Sequence, residues 1–149
     1  MTNLNLVESC REELRARGFV VVAVEGERSE CDWAYTVGLH RSAGHPELVL
    51  VGLDAAMAGG VLDAVGQRVL DGENLLGAPS LRAGPLEFVV HEVDPLWRQC
   101  GDWFALGRAV LGADWPRTLQ LVWPDRAGRF PQIPGDPRWS LRQPLLAER

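Results

Sequence analysis

Two of the chain's three histidines lie on either side of a short segment that leads to a carboxylate. His40, His45 and Glu47 could bring two imidazoles and a carboxylate to one point, as many divalent-metal sites require. Their spacing matches no established ligand pattern, and histidines in loops are more often solvated or hydrogen-bonded. We therefore predict no metal ion, and keep all three residues as candidates for binding a small molecule.

A second polar cluster follows the last apolar run of the chain. Asp125, Arg126 and Arg129 lie in a segment that contains proline and glycine. A guanidinium group can bind a carboxylate or phosphate through two parallel hydrogen bonds, so Arg126 or Arg129 could hold an anionic ligand. Alternatively, Asp125 bonds to the backbone of a turn and the arginines face water. We favour this alternative for Asp125 and leave both open for Arg129.

Three more polar residues interrupt apolar segments. Tyr35 is the only tyrosine, and its hydroxyl either lines a pocket or finds one partner in the core. Thr36 belongs to a face of small residues that a ligand or a packed helix could approach closely. Gln120 either lines a pocket or belongs to an exposed strand face. We keep all three as candidate ligand-binding residues.

Several enzyme chemistries are excluded by what the sequence lacks. All 15 basic residues are arginine, so lysine Schiff-base chemistry and a P-loop lysine are impossible. The motifs G-x-S-x-G, G-x-G-x-x-G and H-E-x-x-H are also missing. The sequence leaves open whether the protein is an enzyme, and no catalytic residue is assigned.

Length and charge indicate one globular domain, residues 1–149, with 132–149 as an extended C-terminal tail. A formal charge of -5 argues against nucleic acid as a partner. The longest apolar run, residues 19–24, is too short to span a bilayer, and the N-terminus does not resemble a secretion signal. Three widely spaced cysteines fit free thiols in a reducing compartment. We therefore expect a cytoplasmic protein without membrane contact.

The elements that position these residues follow from periodicity and turn signals. An N-terminal helix capped by Asn5 and ended by Gly18 precedes residues 19–25, which read as a central strand. Alternating residues 33–39 and apolar residues 47–53 predict an antiparallel strand pair joined by a loop, residues 40–46. Asp54 should cap a glycine-containing helix that reaches about residue 70.

The second half of the chain contains weaker signals. Residues 73–85 are predicted as a loop, and 86–93 and 118–123 as strands. Asp94 and Pro95 begin helical sequence that extends to Val110 and is interrupted near Gly101. The tail has Trp139, Leu145 and Leu146 as anchors. The result is an α+β fold: a mainly antiparallel sheet of about five or six strands, two principal helices and a short N-terminal helix.

Three motifs together resemble the bacterial family known as domain of unknown function 4262. They are WAYTVGL at 33–39, PELVLVGL at 46–53 and LQLVWPDRAGRFP at 119–131. The resemblance extends from about residue 18 to residue 131. Members of this family often continue the last motif with a tryptophan and an acidic residue, whereas this chain has Gln132 and Ile133. A weaker, fold-level resemblance to flavin-reductase-like split barrels implies FMN as an alternative cofactor; otherwise no cofactor is predicted.

Three functions are compatible with these observations. The first is a small ligand-binding domain whose pocket lies between the 40–47 loop and the 124–131 turn and recognises an anionic small molecule. The second is a non-catalytic interaction module that uses the six tryptophans and the proline-rich tail to bind a protein partner. The third is an FMN-binding split barrel, for which a homodimer is expected.

Overall fold

A mixed six-stranded sheet is the centre of the structure, a computed structural model that describes residues 4–26, 31–99, 103–124, 128–130 and 143–146. The elements in chain order are α1 (Leu4–Arg17), β1 (Val20–Val24), β2 (Trp33–Val37), α2 (Leu39–Ala43), β3 (Glu47–Val51), α3 (Ala55–Leu70), β4 (Ser80–Ala83), β5 (Leu86–Glu92), α4 (Pro95–Gln99), α5 (Ala105–Leu111) and β6 (Thr118–Val122).

The strands are ordered β1-β2-β3-β6-β5-β4 across the sheet. Four of the five strand pairs are antiparallel, and β3 runs parallel to β6 with Glu47 beside Thr118. A parallel pair needs a long connection, which the chain from α3 to α5 supplies. The predicted α+β class is confirmed. In the described residues the sheet is open, with β1 and β4 as its edges, so the split-barrel alternative is not confirmed.

Helices cover both faces of the sheet. Because side chains alternate along a strand, Ala34, Leu48 and Leu50 pack with α3 on one face, here named the α3 face. Tyr35 and Val49 pack with α1 and α5 on the other, here named the α5 face. The predicted alternation is therefore confirmed for residues 33–37, whereas Leu39, predicted on the face of Tyr35, begins α2 and packs in the cluster of the α3 face. Two apolar clusters stabilise the domain.

The position of β1 differs from the prediction. Its apolar sequence indicated a central strand, yet β1 pairs only with β2 and lies at an edge of the sheet. Val20 and Val22 are buried in the cluster of the α5 face, and Phe19, just before the strand, is buried in that of the α3 face. An apolar strand indicates that both faces are covered, and coverage of the faces does not determine whether both edges are paired. The prediction was wrong for that reason.

Two short elements lie where the sequence predicted loops. Residues 39–43 form α2, and the segment 73–85 contains β4, which pairs with β5. A helix of five residues and a strand of four are too short to produce a recognisable period. The start of α1 also differs, because Asn5 lies inside this helix and is not its N-cap.

Helix lengths agree only in part with the prediction. The side chain of Asp54 caps α3 as expected, accepting hydrogen bonds from the N–H groups of Ala56 and Met57 at 3.0 and 3.2 Å. At 14 residues α1 is nearly as long as α3, at 16, while the helical sequence after Asp94 is divided into α4 and α5. Within the described ranges, none of the helices has the length and apolar character needed to cross a membrane.

Candidate functional site

The buried carboxylate of Glu47 is the centre of the candidate site. Its Oε1 atom accepts hydrogen bonds from the Thr36 hydroxyl at 2.9 Å and the Leu39 N–H at 3.1 Å. Its Oε2 atom accepts from the N–H groups of Gly38 and His40 at 2.9 and 3.2 Å. A carboxylate has about four lone-pair positions, so these donors satisfy Glu47 without any ligand.

The conformation of Gly38 makes this arrangement possible. Its φ of 120° is one that residues with a side chain rarely adopt, and it turns the chain from β2 into α2 so that successive amides point at Glu47. A Cβ atom on Gly38 would lie 2.3 Å from Leu14 Cδ1 and 2.6 Å from the carbonyl oxygen of Gly18. The turn therefore requires glycine.

Thr36 positions Glu47 from the neighbouring strand. While its hydroxyl donates to Glu47, the same Oγ1 atom accepts from the Leu48 N–H at 2.9 Å. The side chain is fully buried. Both hydrogen bonds of the Thr36 hydroxyl are therefore made within the fold.

Burial raises the pKa of Glu47 from 4.5 to about 7, while hydrogen bonds from Gly38, Thr36, His40 and Leu39 oppose the rise. The ionised form matches the four donors, whereas a protonated oxygen would meet N–H groups that also donate. Protonation of Glu47 is therefore coupled to the geometry of the turn between β2 and α2.

The two histidines of this segment have different environments. His45 is buried, with Nδ1 at 2.8 Å from the carbonyl oxygen of Pro46 and Nε2 accepting from the Leu75 N–H at 2.9 Å. These partners assign the neutral tautomer that carries its proton on Nδ1, so both ring nitrogens are engaged. His40 is exposed on α2. Among the described residues, no group of three or more histidines, cysteines or carboxylates could hold a metal ion.

A cleft of about 350 Å³ lies between α2 and the segment that joins α5 to β6; we name it the α2 cleft. It exists because β3 and β6 are parallel, so the residues preceding both strands emerge at the same end of the sheet. Its lining residues are His40, Arg41, Glu47, Leu111, Ala113, Asp114, Trp115, Pro116 and Arg117.

Two arginines supply positive charge to the α2 cleft. Arg41 Nη2 donates to the carbonyl oxygen of Leu111 at 2.8 Å, and in the described part of the chain Arg41 pairs with no carboxylate. Arg117 forms an ion pair with Glu92 through Nε and through Nη2, the latter at 3.0 Å. Both arginines are exposed. They have the chemistry to bind a carboxylate or phosphate.

Tyr35 belongs to the core of the α5 face. Its hydroxyl accepts a hydrogen bond from the Gly107 N–H at 3.0 Å. Its ring meets those of Phe104 and Trp115 edge-on, with centroids 5.1 and 5.3 Å apart. Burial raises the pKa of Tyr35 to about 12, so the hydroxyl stays protonated at neutral pH. Tyr35 fixes α5 on the sheet, the core role considered from the sequence.

Gln120 is fully buried on β6 and binds the C-terminal segment. Its Nε2 donates to the carbonyl oxygen of Pro144 at 2.8 Å, and its Oε1 accepts from the Leu146 N–H at 2.7 Å. This is neither of the two roles considered from the sequence. The tail anchors Leu145 and Leu146 are both buried, while Trp139 lies outside the described residues.

The described end of β6 lies far from residues 40–47. Since β6 runs parallel to β3 from Thr118, Pro124 leaves the sheet roughly 20 Å from the α2 cleft at about 3.3 Å per residue. Arg129 is exposed and has an interaction partner in the structure. Asp125 and Arg126 lie outside the described residues. Residues 111–117, which sequence reasoning did not select, adjoin the 40–47 segment instead.

The sequence analysis did not select Arg41, Trp115 or Arg117 of the α2 cleft, and only Arg41 could have been found from its neighbours in the sequence. Arg41 follows His40 directly and could have been added to the candidate segment. Trp115 and Arg117 become neighbours of this segment only through the parallel pairing of β3 with β6. Arg41 and Leu111, which are bonded across the cleft, are 70 positions apart in the chain.

A second depression, of about 420 Å³, lies between residues 42–46 and 69–76. Its polar side chains are used by the fold: Ser42 Oγ donates to the Gly18 carbonyl at 2.6 Å, His45 is engaged at both nitrogens, and Glu73 pairs with Arg68 at 2.9 Å. The α2 cleft, which has Arg41 without a carboxylate partner in the described residues, is therefore the better candidate site.

The fold and the cleft define the class of the protein as a three-layer α+β domain around a mixed sheet. The profile of the family called Domain of unknown function (DUF4262) matches residues 13–137, which contain the six described strands and the α2 cleft. The chain belongs to this family, as the three sequence motifs predicted. No curated protein and no solved structure matches the chain, so the resemblance to flavin-reductase-like split barrels has no support from them.

Proposed function

We propose that the chain is a small-molecule-binding domain and that the α2 cleft binds an anionic ligand. The observation that carries this proposal is that Arg41 and Arg117 line one cleft of about 350 Å³. Binding sites for small molecules are commonly clefts of about 300 Å³ or more with a few polar groups. Compared with the site predicted from sequence, the 40–47 segment remains and residues 111–117 replace the 124–131 turn.

The charges around the cleft define the expected ligand. Arg41 and Arg117 attract a carboxylate or phosphate, and the exposed Asp114 limits the total negative charge that the cleft tolerates. Glu47 holds the turn that presents His40 and Arg41. We therefore expect a small molecule with one or two negative charges.

The origin of the protein and its cellular location are part of the same proposal. We propose a bacterial protein with a cytoplasmic location, and the free thiol of Cys10 supports that location. In the described residues the tail packs on its own chain through Gln143 and Leu146, and the proposal therefore places the small ligand in the α2 cleft and not on the tail.

Binding is tested by a thermal-shift screen with inorganic phosphate and small mono- and dicarboxylates, followed by calorimetry of any ligand that raises the melting temperature. Arg41→Ala and Arg117→Ala should each weaken binding about tenfold or more, because a charge-assisted hydrogen bond contributes about 1.5 kcal/mol or more. The matched control is Arg82→Ala, an exposed arginine of β4 remote from the cleft. The control should bind as tightly as the wild type.

Glu92→Gln separates a ligand-binding role of Arg117 from a structural one. This variant removes the negative partner of Arg117 and leaves the guanidinium in place. If Arg117 contacts the ligand, affinity should stay equal or increase in Glu92→Gln and fall in Arg117→Ala. Equal affinity in the wild type and both cleft variants would contradict the proposal, as would a complete screen without any ligand.

A further inference from the structure

A short C-terminal segment, residues 143–146, lies against β6 as a bound peptide would. The Gln143 side chain pairs with the backbone of Trp123: its Oε1 accepts from the Trp123 N–H at 2.8 Å and its Nε2 donates to the Trp123 carbonyl at 2.9 Å. From the sheet side, Gln120 binds the backbone of Pro144 and Leu146 at 2.8 and 2.7 Å. The side chain of Gln143 thus hydrogen-bonds to the backbone that follows β6, and the side chain of Gln120 hydrogen-bonds to the backbone of residues 143–146.

A side-chain amide has the same donor and acceptor as a peptide group, so these two glutamines reproduce the pairing of neighbouring strands. The Asp94 N–H adds a backbone bond to the Leu146 carbonyl at 2.6 Å. Main-chain pairing combined with a buried side chain is how sheet proteins bind extended peptides. The groove formed by Asp94, Gln120 and Trp123, here named the tail groove, has this arrangement.

Apolar burial anchors the end of the segment. Leu146 is 1% exposed and belongs to the cluster of the α5 face, together with Val49 and Trp115. Leu145 is 8% exposed. The segment therefore presents two elements for recognition, an amide side chain at its start and an aliphatic pair at its end.

The groove and its occupant belong to different parts of the chain. Asp94, Gln120 and Trp123 lie within residues 13–137, which match the family, whereas 143–146 lie beyond that match. With the tail in place, Gln120 is fully buried and both groups of its amide have partners. An occupant with the same backbone groups is therefore favoured over an empty groove.

We propose that the tail groove is a peptide-binding site, filled by the chain's own tail in the monomer and able to bind the tail of a second copy. Every copy carries the same Gln-Pro-Leu-Leu segment, so the groove forms the same bonds with a second copy's tail. The own tail has the advantage of an effective concentration on the millimolar scale. Exchange between copies therefore becomes visible when a copy cannot use its own tail.

The test mixes two full-length variants with complementary defects. Leu146→Asp damages the tail and leaves the groove intact, because a charge cannot enter the apolar cluster. Gln120→Ala damages the groove and leaves the tail intact. We expect each variant alone to sediment as a monomer and an equimolar mixture to form a one-to-one dimer in analytical ultracentrifugation. Circular dichroism confirms that both variants are folded.

Two folded variants that remain monomeric when mixed at about 1 mM, the scale of the intramolecular effective concentration, would overturn the proposal. If either variant does not fold, binding of a synthetic tail peptide to the unaltered chain provides the test. A fluorescently labelled synthetic peptide of residues 141–149, LRQPLLAER, should show a saturable rise in anisotropy when the unaltered chain is added up to about 1 mM, because it competes with the chain's own tail. The same labelled peptide with Gln143→Ala and Leu146→Asp is the control. Equal or absent rises in anisotropy with the two peptides would also overturn the proposal.

Discussion

Glu47 shows how one buried residue makes stability depend on pH. Its pKa is raised from 4.5 to about 7 by burial, so the folded state holds a proton that the unfolded state releases. A raised pKa contributes stability that is complete below pH 4.5 and is lost as the pH rises through about 7. The difference between the two pKa values corresponds to about 3 kcal/mol.

We therefore predict that the Glu47 contribution to the free energy of unfolding decreases between pH 5 and pH 8, as measured by urea denaturation. Burial lowers the pKa of His91, which contributes with the opposite sign. The difference between the wild type and Glu47→Gln isolates the Glu47 contribution, and Glu87→Gln, at an exposed position of β5, is the matched control. A pH dependence that is unchanged in Glu47→Gln would contradict the assignment.

The sequence identified several residues of the site without their roles. Thr36, His45 and Glu47 were recognisable because each is a polar residue within or beside an apolar run. Their roles depend on hydrogen bonds from backbone N–H groups, which cannot be predicted from residue types. Examples are the Gly38 N–H that binds Glu47 and the Leu75 N–H that binds His45. The geometry of a turn and the approach of a distant loop decide between a structural role and a ligand-binding one.

Within α3, the glycine positions differ in the space that is available for a side chain. A Cβ on Gly66 would lie 2.5 Å from Cε2 of Phe19, whereas a Cβ on Gly60 would have nothing within 4 Å. We predict that Gly66→Ala lowers the free energy of unfolding by about 1–3 kcal/mol through overpacking. Gly60→Ala in the same helix should raise it by about 0.5–1 kcal/mol, because alanine favours the helix.

Chemical denaturation of both variants measures this difference, with circular dichroism to show that the helix content is kept. Equal effects of the two substitutions would mean that α3 does not pack on Phe19 as described. The sequence alone does not distinguish the three glycines at 59, 60 and 66. Only the rotation of α3 on the sheet distinguishes Gly66 from the other two.

Among the elements, α3 was the most predictable, because a capping aspartate and a terminating glycine lie at its two ends. Asp54 and Gly72 act locally, and local signals survive in any fold. β1 was identified as a strand and assigned to the wrong position, because its pairing depends on the order of strands in the sheet. The sequence did not predict α2 and β4, because such short elements form through contacts with neighbouring elements and not through a local pattern. For β4 this contact is the strand pairing with β5.

At the scale of the whole molecule, the α2 cleft results from one parallel strand pair. The predicted sheet was mainly antiparallel and its strand order was open, so residues 111–117 could not be placed beside residues 40–47. The pairing of Glu47 with Thr118 supplies this neighbourhood. The contact joins distant parts of the chain, and hydrophobic periodicity contains no information on it.

The same strand order predicts how the molecule opens. All five residues of β3 and of β6 are buried, and each of these strands has a neighbour on both sides. β4 lies at the edge, pairs only with β5 and has two exposed residues. Segments with few buried contacts open at low free energy, whereas central strands exchange their amide hydrogens only when the whole domain unfolds.

Hydrogen exchange followed by mass spectrometry should therefore show β4 amides exchanging well before those of β3 and β6. Low concentrations of urea should accelerate exchange in β3 and β6, because their opening exposes the full buried surface, and should hardly change it in β4. If β4 were as protected as β3, the open sheet with β4 as an edge would be incorrect.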